Sequence, residues 1–315
     1  ETNQIYTMKS TYQENERSKS IDLIKNSELF DREKAGKLFM RSERDFVLLN
    51  GEKNIFKPIR KEVIEYFSKN KISWWGGCVN HLFYIRHDKE AVLNMIKSFS
   101  TDFINVFEIQ TDRFFPAYIQ FEAVSDNDNL NEGEPTRGNN CTSVDALVYA
   151  QHKDGTKWII PIEWKYTEHY NNQNKATEGY KVDPINCKGE VRKQRYTSLI
   201  DNSVQLESSD HKCYYYEPFY QLMRQTLWAE QLVKNKEKET IKADNYLHIH
   251  VIPTENGDLL DKTYTCSQKD METTWKSHLK DKTKYIIISP EKLMSKSLSD
   301  SKYNELKNYL TERYW

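Results

Sequence analysis

The chain has 315 residues, of which 37% are hydrophobic and 13% aromatic, enough apolar material for a real core in one large domain or two. Its 46 Lys and Arg nearly balance 47 Asp and Glu, for a net charge of −1. That balance neither marks nor excludes a nucleic-acid partner, because a local basic groove can hide inside a neutral total.

Five scattered cysteines, Cys78, Cys141, Cys187, Cys213 and Cys266, form no CxxC pair. They argue against a disulfide framework and a structural zinc knuckle, and point to a reducing, cytoplasmic setting. No stretch has the apolar length needed to cross a bilayer, and the N-terminus lacks a basic-then-apolar signal pattern. The first residue is not Met, which points to trimming.

Residues 1–50 are polar and charged, with short helical patterns over 21–30 and 35–46, and read as an N-terminal helical extension ahead of a domain over 51–315. Helical spacing of Ile59, Val63, Ile64 and Phe67 follows Pro58. A second helix is expected from Asp88 as N-cap to Phe99, with Ala91, Val92, Met95, Ile96 and Phe99 on one face. The stretch 117–124 alternates apolar and polar residues as a strand does. After a loop rich in Asn, Gly and Pro over 125–140, two more strands, 142–150 and 157–166, flank "HKDGT". Further strands are expected near 245–252 and 284–289, before a helical C-terminus. The fold class is therefore α/β, with helices flanking a mixed central sheet.

Loop chemistry sets the register of the two central strands. If Lys153, Asp154 and Gly155 form a three-residue loop with Gly155 left-handed, position 145 lies opposite 163; a two-residue loop would put it opposite 164. In the first register Val144, Ala146, Val148 and Ala150 share an apolar face with Trp158, Ile160, Ile162 and Trp164. Asp145 then shares the other face with Glu163 and Lys165. Neighbouring carboxylates at the end of so apolar a strand repel each other unless a divalent cation lies between them, and hard oxygen donors suit Mg²⁺ or Mn²⁺. The bland alternative is a solvated cross-strand ion pair.

Asp145 followed by Glu163-Xaa-Lys165 resembles the active-site signature of the PD-(D/E)XK nuclease superfamily, with "SVD" in place of the usual Pro-Asp. With "TRGNNCTSVDALV", "PIEWKYTEHY" and "YYYEPFYQLMRQTLWAEQL", the chain resembles a bacterial restriction-endonuclease-like family within it, over roughly residues 40–235. That family carries a longer segment between the Trp-Trp-Gly-Gly and "CVNHLF", whereas here Gly77 adjoins Cys78. The resemblance implies a restriction-endonuclease-like core and metal-dependent hydrolysis of nucleic-acid phosphodiesters, DNA before RNA, in restriction or phage defence. Asp145 and Glu163 would hold Mg²⁺, with Mn²⁺ a substitute and the backbone carbonyl of Trp164 a further ligand. Lys165 would orient the attacking water and offset transition-state charge. Glu122 is a candidate further ligand, and Gln221, Arg224 and Arg137 are candidate nucleic-acid contacts; Glu168 matches the family pattern with no derived role. Cutting both strands usually requires two sites, which suits a homodimer or a larger defence complex. The alternative from another class is a non-catalytic nucleic-acid-binding or scaffold protein that keeps the fold.

Other features carry less. His248 and His250 share one strand face at ligand spacing, yet no third ligand is evident and a half-exposed strand explains them. "KGEVRKQR" (188–195) is a basic cluster that could meet a nucleic-acid backbone, but charge runs are usually solvated surface. No phosphate-cradling Gly-rich loop or Gly-Xaa-Ser-Xaa-Gly elbow is present.

Overall fold

The apolar run that ends in Glu163 forms the middle of a mixed sheet with helices on both faces. The computed structural model describes residues 11–26, 76–111, 114–133, 141–209 and 211–315. Helix α1 (Tyr12–Asn26) comes first, then α2 (Gly76–Leu82) and α3 (Lys89–Lys97). Next are strands β1 (Phe103–Phe107), β2 (Ile109–Thr111), β3 (Phe114–Ala117), β4 (Ile119–Ala123), β5 (Val144–His152) and β6 (Lys157–Trp164). Helices α4 (Lys188–Asp201) and α5 (Phe219–Lys234) precede strands β7 (Asn245–Tyr246) and β8 (His248–Val251). Helix α6 (Met271–Ser277), strand β9 (Tyr285–Ile288) and helix α7 (Asn304–Arg313) follow.

Among the described residues seven strands make the main sheet, in the order β1-β5-β6-β8-β9, with β4 also on β5 and β7 also on β6. The β1, β4 and β6 pairings to β5 are antiparallel, whereas β6-β8 and β8-β9 are parallel. Strands β2 and β3 form a separate two-stranded sheet. The three-residue loop is the one adopted: Ala146 pairs with Ile162 and His152 N–H bonds to Thr156 O, with Gly155 at a φ of +89°. Position 145 therefore lies opposite 163.

One face of the sheet buries Ala146, Val148, Ala150, Ile160, Ile162 and Trp164 against α2, α3 and α7. The other carries Leu147, Tyr149 and Ile159 against α4, α5 and α6. Val144 departs from the expected layer: it and its partner Ala123 pack with this second group, next to Glu122, whose φ is +49°. An alternating strand turns successive side chains to opposite faces only while its backbone stays extended, and Glu122 interrupts that.

Helix α3 starts as expected, with the Asp88 carboxylate accepting from the Glu90 and Ala91 N–H groups and Ala91, Val92, Met95 and Ile96 buried. Helix α2 runs unbroken through the Gly77-Cys78 junction. Helix α1 docks on the core: Tyr12 N–H bonds to Asp258 Oδ2 at 2.6 Å, the Tyr166 hydroxyl donates to Glu16, and Ile21 and Leu23 pack on the first face. The helical patterns expected beyond Asn26, and the one after Pro58, lie outside the described residues. Among those described, no helix is long and apolar enough to cross a membrane.

The cysteine reading needs a correction. Cys213 and Cys266 form a disulfide with a Cα separation of 5.3 Å, tying the turn ahead of α5 to the loop after Tyr264, while Cys78, Cys141 and Cys187 are not in disulfides. A sequence separation of 53 residues hid the pairing.

A Cβ on Gly155 would meet nothing within 4 Å, so only its backbone conformation constrains the position. Gly155→Ala should lower stability by about 1 kcal/mol and Gly155→Asn by less, since Asn tolerates the left-handed region. Urea midpoints of the two variants check this; equal losses would place the cost in packing.

Candidate active site

Asp145 and Glu163 come together because β5 and β6 are paired one step short of their ends, and the Glu163 side chain leaves the sheet toward α5. The Asp145 carboxylate accepts the Trp164 N–H through Oδ2 at 2.8 Å, which ties the start of β5 to the end of β6. Among the described residues nothing donates to its Oδ1. Glu163 is only 1% exposed. Its Oε1 accepts from Lys165 Nζ at 2.5 Å and from Gln221 Nε2 at 2.6 Å, and its Oε2 accepts from Gln225. Gln221 and Gln225 stand four residues apart on α5, so one helical face presents both amides.

The electrostatics follow from this crowding. Burial first, then the Glu163 carboxylate and more weakly Glu122, push the Asp145 carboxyl well above the usual carboxylate range, with Lys165 pulling against them. For Lys165, burial opposes the charge, but Glu163, with Tyr170, Asp145 and Glu168, outweighs it and holds the ammonium's pKa well above the ordinary lysine value. Lys165 is therefore a fixed positive charge and not a proton acceptor at neutral pH.

Glu122 lies opposite Asp145 in the β4-β5 register, between the pairs Phe121 with Ala146 and Ala123 with Val144. Its Oε2 accepts from the Ser143 hydroxyl at 3.1 Å. Among the described residues no three His, Cys, Asp or Glu side chains gather as a metal site. The donor set nonetheless fits a hard divalent cation. Asp145 and Glu163 share a single lysine, Glu122 adds to the field at Asp145, and the Asp145 carboxyl resists ionising, a condition that a dication would relieve.

Arg224, the candidate phosphate contact, pairs with an acid of the loop ahead of β5. Its Nε and Nη2 each lie 3.2 Å from Glu132 Oε1. Glu132 also accepts from the Tyr196 hydroxyl at 2.5 Å and from the Thr142 N–H and hydroxyl at 2.5 and 2.6 Å. This cluster anchors the residues that lead into β5. Arg137 lies outside the described residues. Glu168 lends its main-chain carbonyl to Asn256 Nδ2 at 3.1 Å, which closes the loop after Lys165.

The expected half-exposed strand for the histidines is a correction. His248 and His250 are 2% and 0% exposed on an interior strand. His250 pairs with Tyr285 Oη at 2.8 Å, burial lowers both histidines' pKa values, and among the described residues no metal group includes them.

Three side chains at the site escaped a sequence-based role. Gln225, one turn beyond Gln221 on α5, bonds Glu163 Oε2. The Cys78 thiol is pushed up by burial and then by the charges of Asp145, Glu122 and Glu163. The Glu217 carboxyl, also raised by burial, is held down by Lys175 and Lys165. Residue type could have flagged Glu217, in "YYYEPFYQ", but nothing local separates it from surface acids.

A protein-family model described as "Restriction Endonuclease associating with ARP" matches residues 24–315. No curated protein and no solved structure matches the chain.

Folded Asp145 keeps its proton to a higher pH than in the unfolded chain, where its pKa is about 4. Above that pH the folded state binds more protons than the unfolded, so metal-free stability should fall as pH rises through the window between the two values. Asp145→Asn should remove this slope and raise Tm in EDTA by on the order of 2–4 °C per kcal/mol of repulsion relieved. A pH series of melts decides; a flat parental profile would contradict it. Separately, Arg224→Ala strands the buried Glu132 carboxylate and should cost about 3 kcal/mol, read by chemical denaturation.

Proposed function

Because the chain belongs to the family of restriction endonucleases associating with ARP, we propose that it is a metal-dependent endonuclease of the PD-(D/E)XK type that hydrolyses phosphodiester bonds, with DNA the substrate. The observation that supports this best is the placement of Asp145, Glu163 and Lys165 on one face at the end of two paired strands.

In this reading Asp145 and Glu163, with the main-chain carbonyl of Trp164, hold Mg²⁺ or Mn²⁺. Such an ion would polarise the scissile phosphate and lower the pKa of a bound water. Lys165, kept protonated by Glu163, donates to the attacking water and sets positive charge beside the phosphate oxygens as their negative charge grows. Gln221 and Gln225 hold the Glu163 carboxylate in orientation from α5, which keeps the ligand in place before substrate arrives. The second reading, a binding or scaffold protein that keeps the fold, leaves unexplained why a lysine and two acids stay assembled at the end of an apolar strand.

Asp145→Asn keeps the acceptor for the Trp164 N–H but removes a charge, so Mn²⁺ affinity and cleavage should fall together. Lys165→Ala removes a cation from Glu163 Oε1 and should leave Mn²⁺ affinity equal or slightly higher, while cleavage drops about 100-fold or more. Calorimetric titration beside a plasmid-nicking assay separates the two. Parental cutting by Lys165→Ala, or parental Mn²⁺ binding by Asp145→Asn, would refute the assignment, and no cleavage of any nucleic acid by the parent would favour the scaffold reading.

A further inference from the structure

Six large hydrophobic side chains are exposed among the described residues, and four of them, Tyr180, Val182, Ile185 and Val191, fall within twelve positions. They are 51%, 92%, 75% and 45% exposed. Soluble surfaces tolerate scattered apolar residues, but a local concentration marks a surface that meets something. The segment is also basic: residues 171–195 hold six Lys and Arg against three Asp and Glu, in a chain whose net charge is −1.

The backbone here is pinned. A Cβ on Gly179 would lie 3.2 Å from Cys187 Cβ, and one on Gly189 would lie 2.1 Å from Ala176 O, so the chain leaves and returns at nearly the same place. Gly189 N–H bonds to Glu178 O, and Asp183 Oδ1 accepts from the Ile185 and Asn186 N–H groups inside the protrusion. Residues 180–186 thus form a short finger with Tyr180, Val182 and Ile185 presented to solvent.

The finger stands beside the site through its base. Arg192 of α4 donates to Lys175 O at 3.0 Å and to Glu178 Oε2 at 2.8 Å, and its guanidinium lies 5.6 Å from the Tyr220 ring centre. Tyr220 precedes Gln221, the residue that holds Glu163. Asn174 bridges to Tyr216, and Lys175 and Lys165 both act on Glu217. Lys188 pairs with Glu178 and Lys193 with Glu190, but such exposed pairs are weak and screened by solvent.

We propose that this finger and its basic base are the docking surface for an unpaired DNA strand. The lysines follow the phosphates, and Tyr180, Val182 and Ile185 receive unstacked bases, leading the strand toward Lys165. Apolar and aromatic tips on a basic ledge suit a single strand, whose bases offer open faces, better than an intact duplex, which hides them. A purely protein partner would not call for the positive excess. The identity of the occupant as substrate rests on the nuclease reading; the surface itself does not.

Fluorescence anisotropy of the parent protein in EDTA tests binding without cleavage, using labelled single-stranded DNA, the matching duplex and single-stranded RNA. Single-stranded DNA should bind at least about tenfold tighter than duplex. Tyr180→Ala, Val182→Asp and Ile185→Asp, each checked for an unchanged melt, should weaken it about 5- to 10-fold. Lys175→Ala should reduce the slope of log affinity against log salt by about 0.7. Parental affinity in all three tip variants overturns the proposal, as does preference for duplex or RNA. Loss of a dimer in Val182→Asp at unchanged DNA affinity also overturns it, and would make the patch a self-association surface. If tip variants lose DNA but the parent cuts nothing with Mg²⁺, the nuclease reading fails and the docking surface stands; if the parent cuts and tip variants bind normally, the reverse holds.

Discussion

The molecule is organised around a charge imbalance held at the end of its most apolar strand. Two unit charges about 4 Å apart interact by roughly 4 kcal/mol even at an effective dielectric near 20, so Asp145 beside Glu163 cannot be indifferent. Lys165 offsets one negative charge. The further donors to Glu163 are amides, Gln221 and Gln225, which satisfy lone pairs without adding charge. An arginine in either place would cancel the remaining field and compete with a cation for the same oxygens. Neutral donors leave the carboxylate oriented and the site still negative, the condition under which a divalent ion gains most by entering.

Helix α5 couples the two strands that carry the acids. On one stripe its glutamines hold Glu163 of β6; on the next, Arg224 holds Glu132, and Glu132 holds Thr142, three residues before Asp145. Register alone would put the acids opposite each other, but this second clamp sets how the chain enters β5. Arg224 therefore acts on the site through the loop it secures. The pairing also explains why its charge can stay largely buried: breaking it would leave Glu132, 7% exposed, without its cation.

Much of this was legible before any coordinates because periodicity and turn chemistry are local. Gly155 in a three-residue loop settled which residues oppose each other, and Asp88 announced the start of α3. The central strands, the late strands and the C-terminal helix all fall where their apolar runs place them. What was not legible depends on contacts between distant segments. The partner of Arg224 lies 92 residues away, and the Cys213 disulfide is equally non-local. The histidines of β8 read as half-exposed because alternation looks the same on an edge and an inner strand, and burial on both faces comes only from the sheet order. Strand β1, with its exposed Ile104 and register shift, lacks the clean alternation that marks β4.

Glu122 shows how local strain can shape the electrostatics of a strand end. A positive φ on a non-glycine residue costs on the order of 1 kcal/mol and persists only where its surroundings impose it. Here the ladder pairs on either side, Phe121 with Ala146 and Ala123 with Val144, hold it in place. The consequence is a strand end that turns Ala123 and Val144 into the other layer and leaves the Glu122 carboxylate on the Ser143 hydroxyl. From there it raises the Asp145 pKa. The strained backbone thus fixes where a third negative charge acts on Asp145.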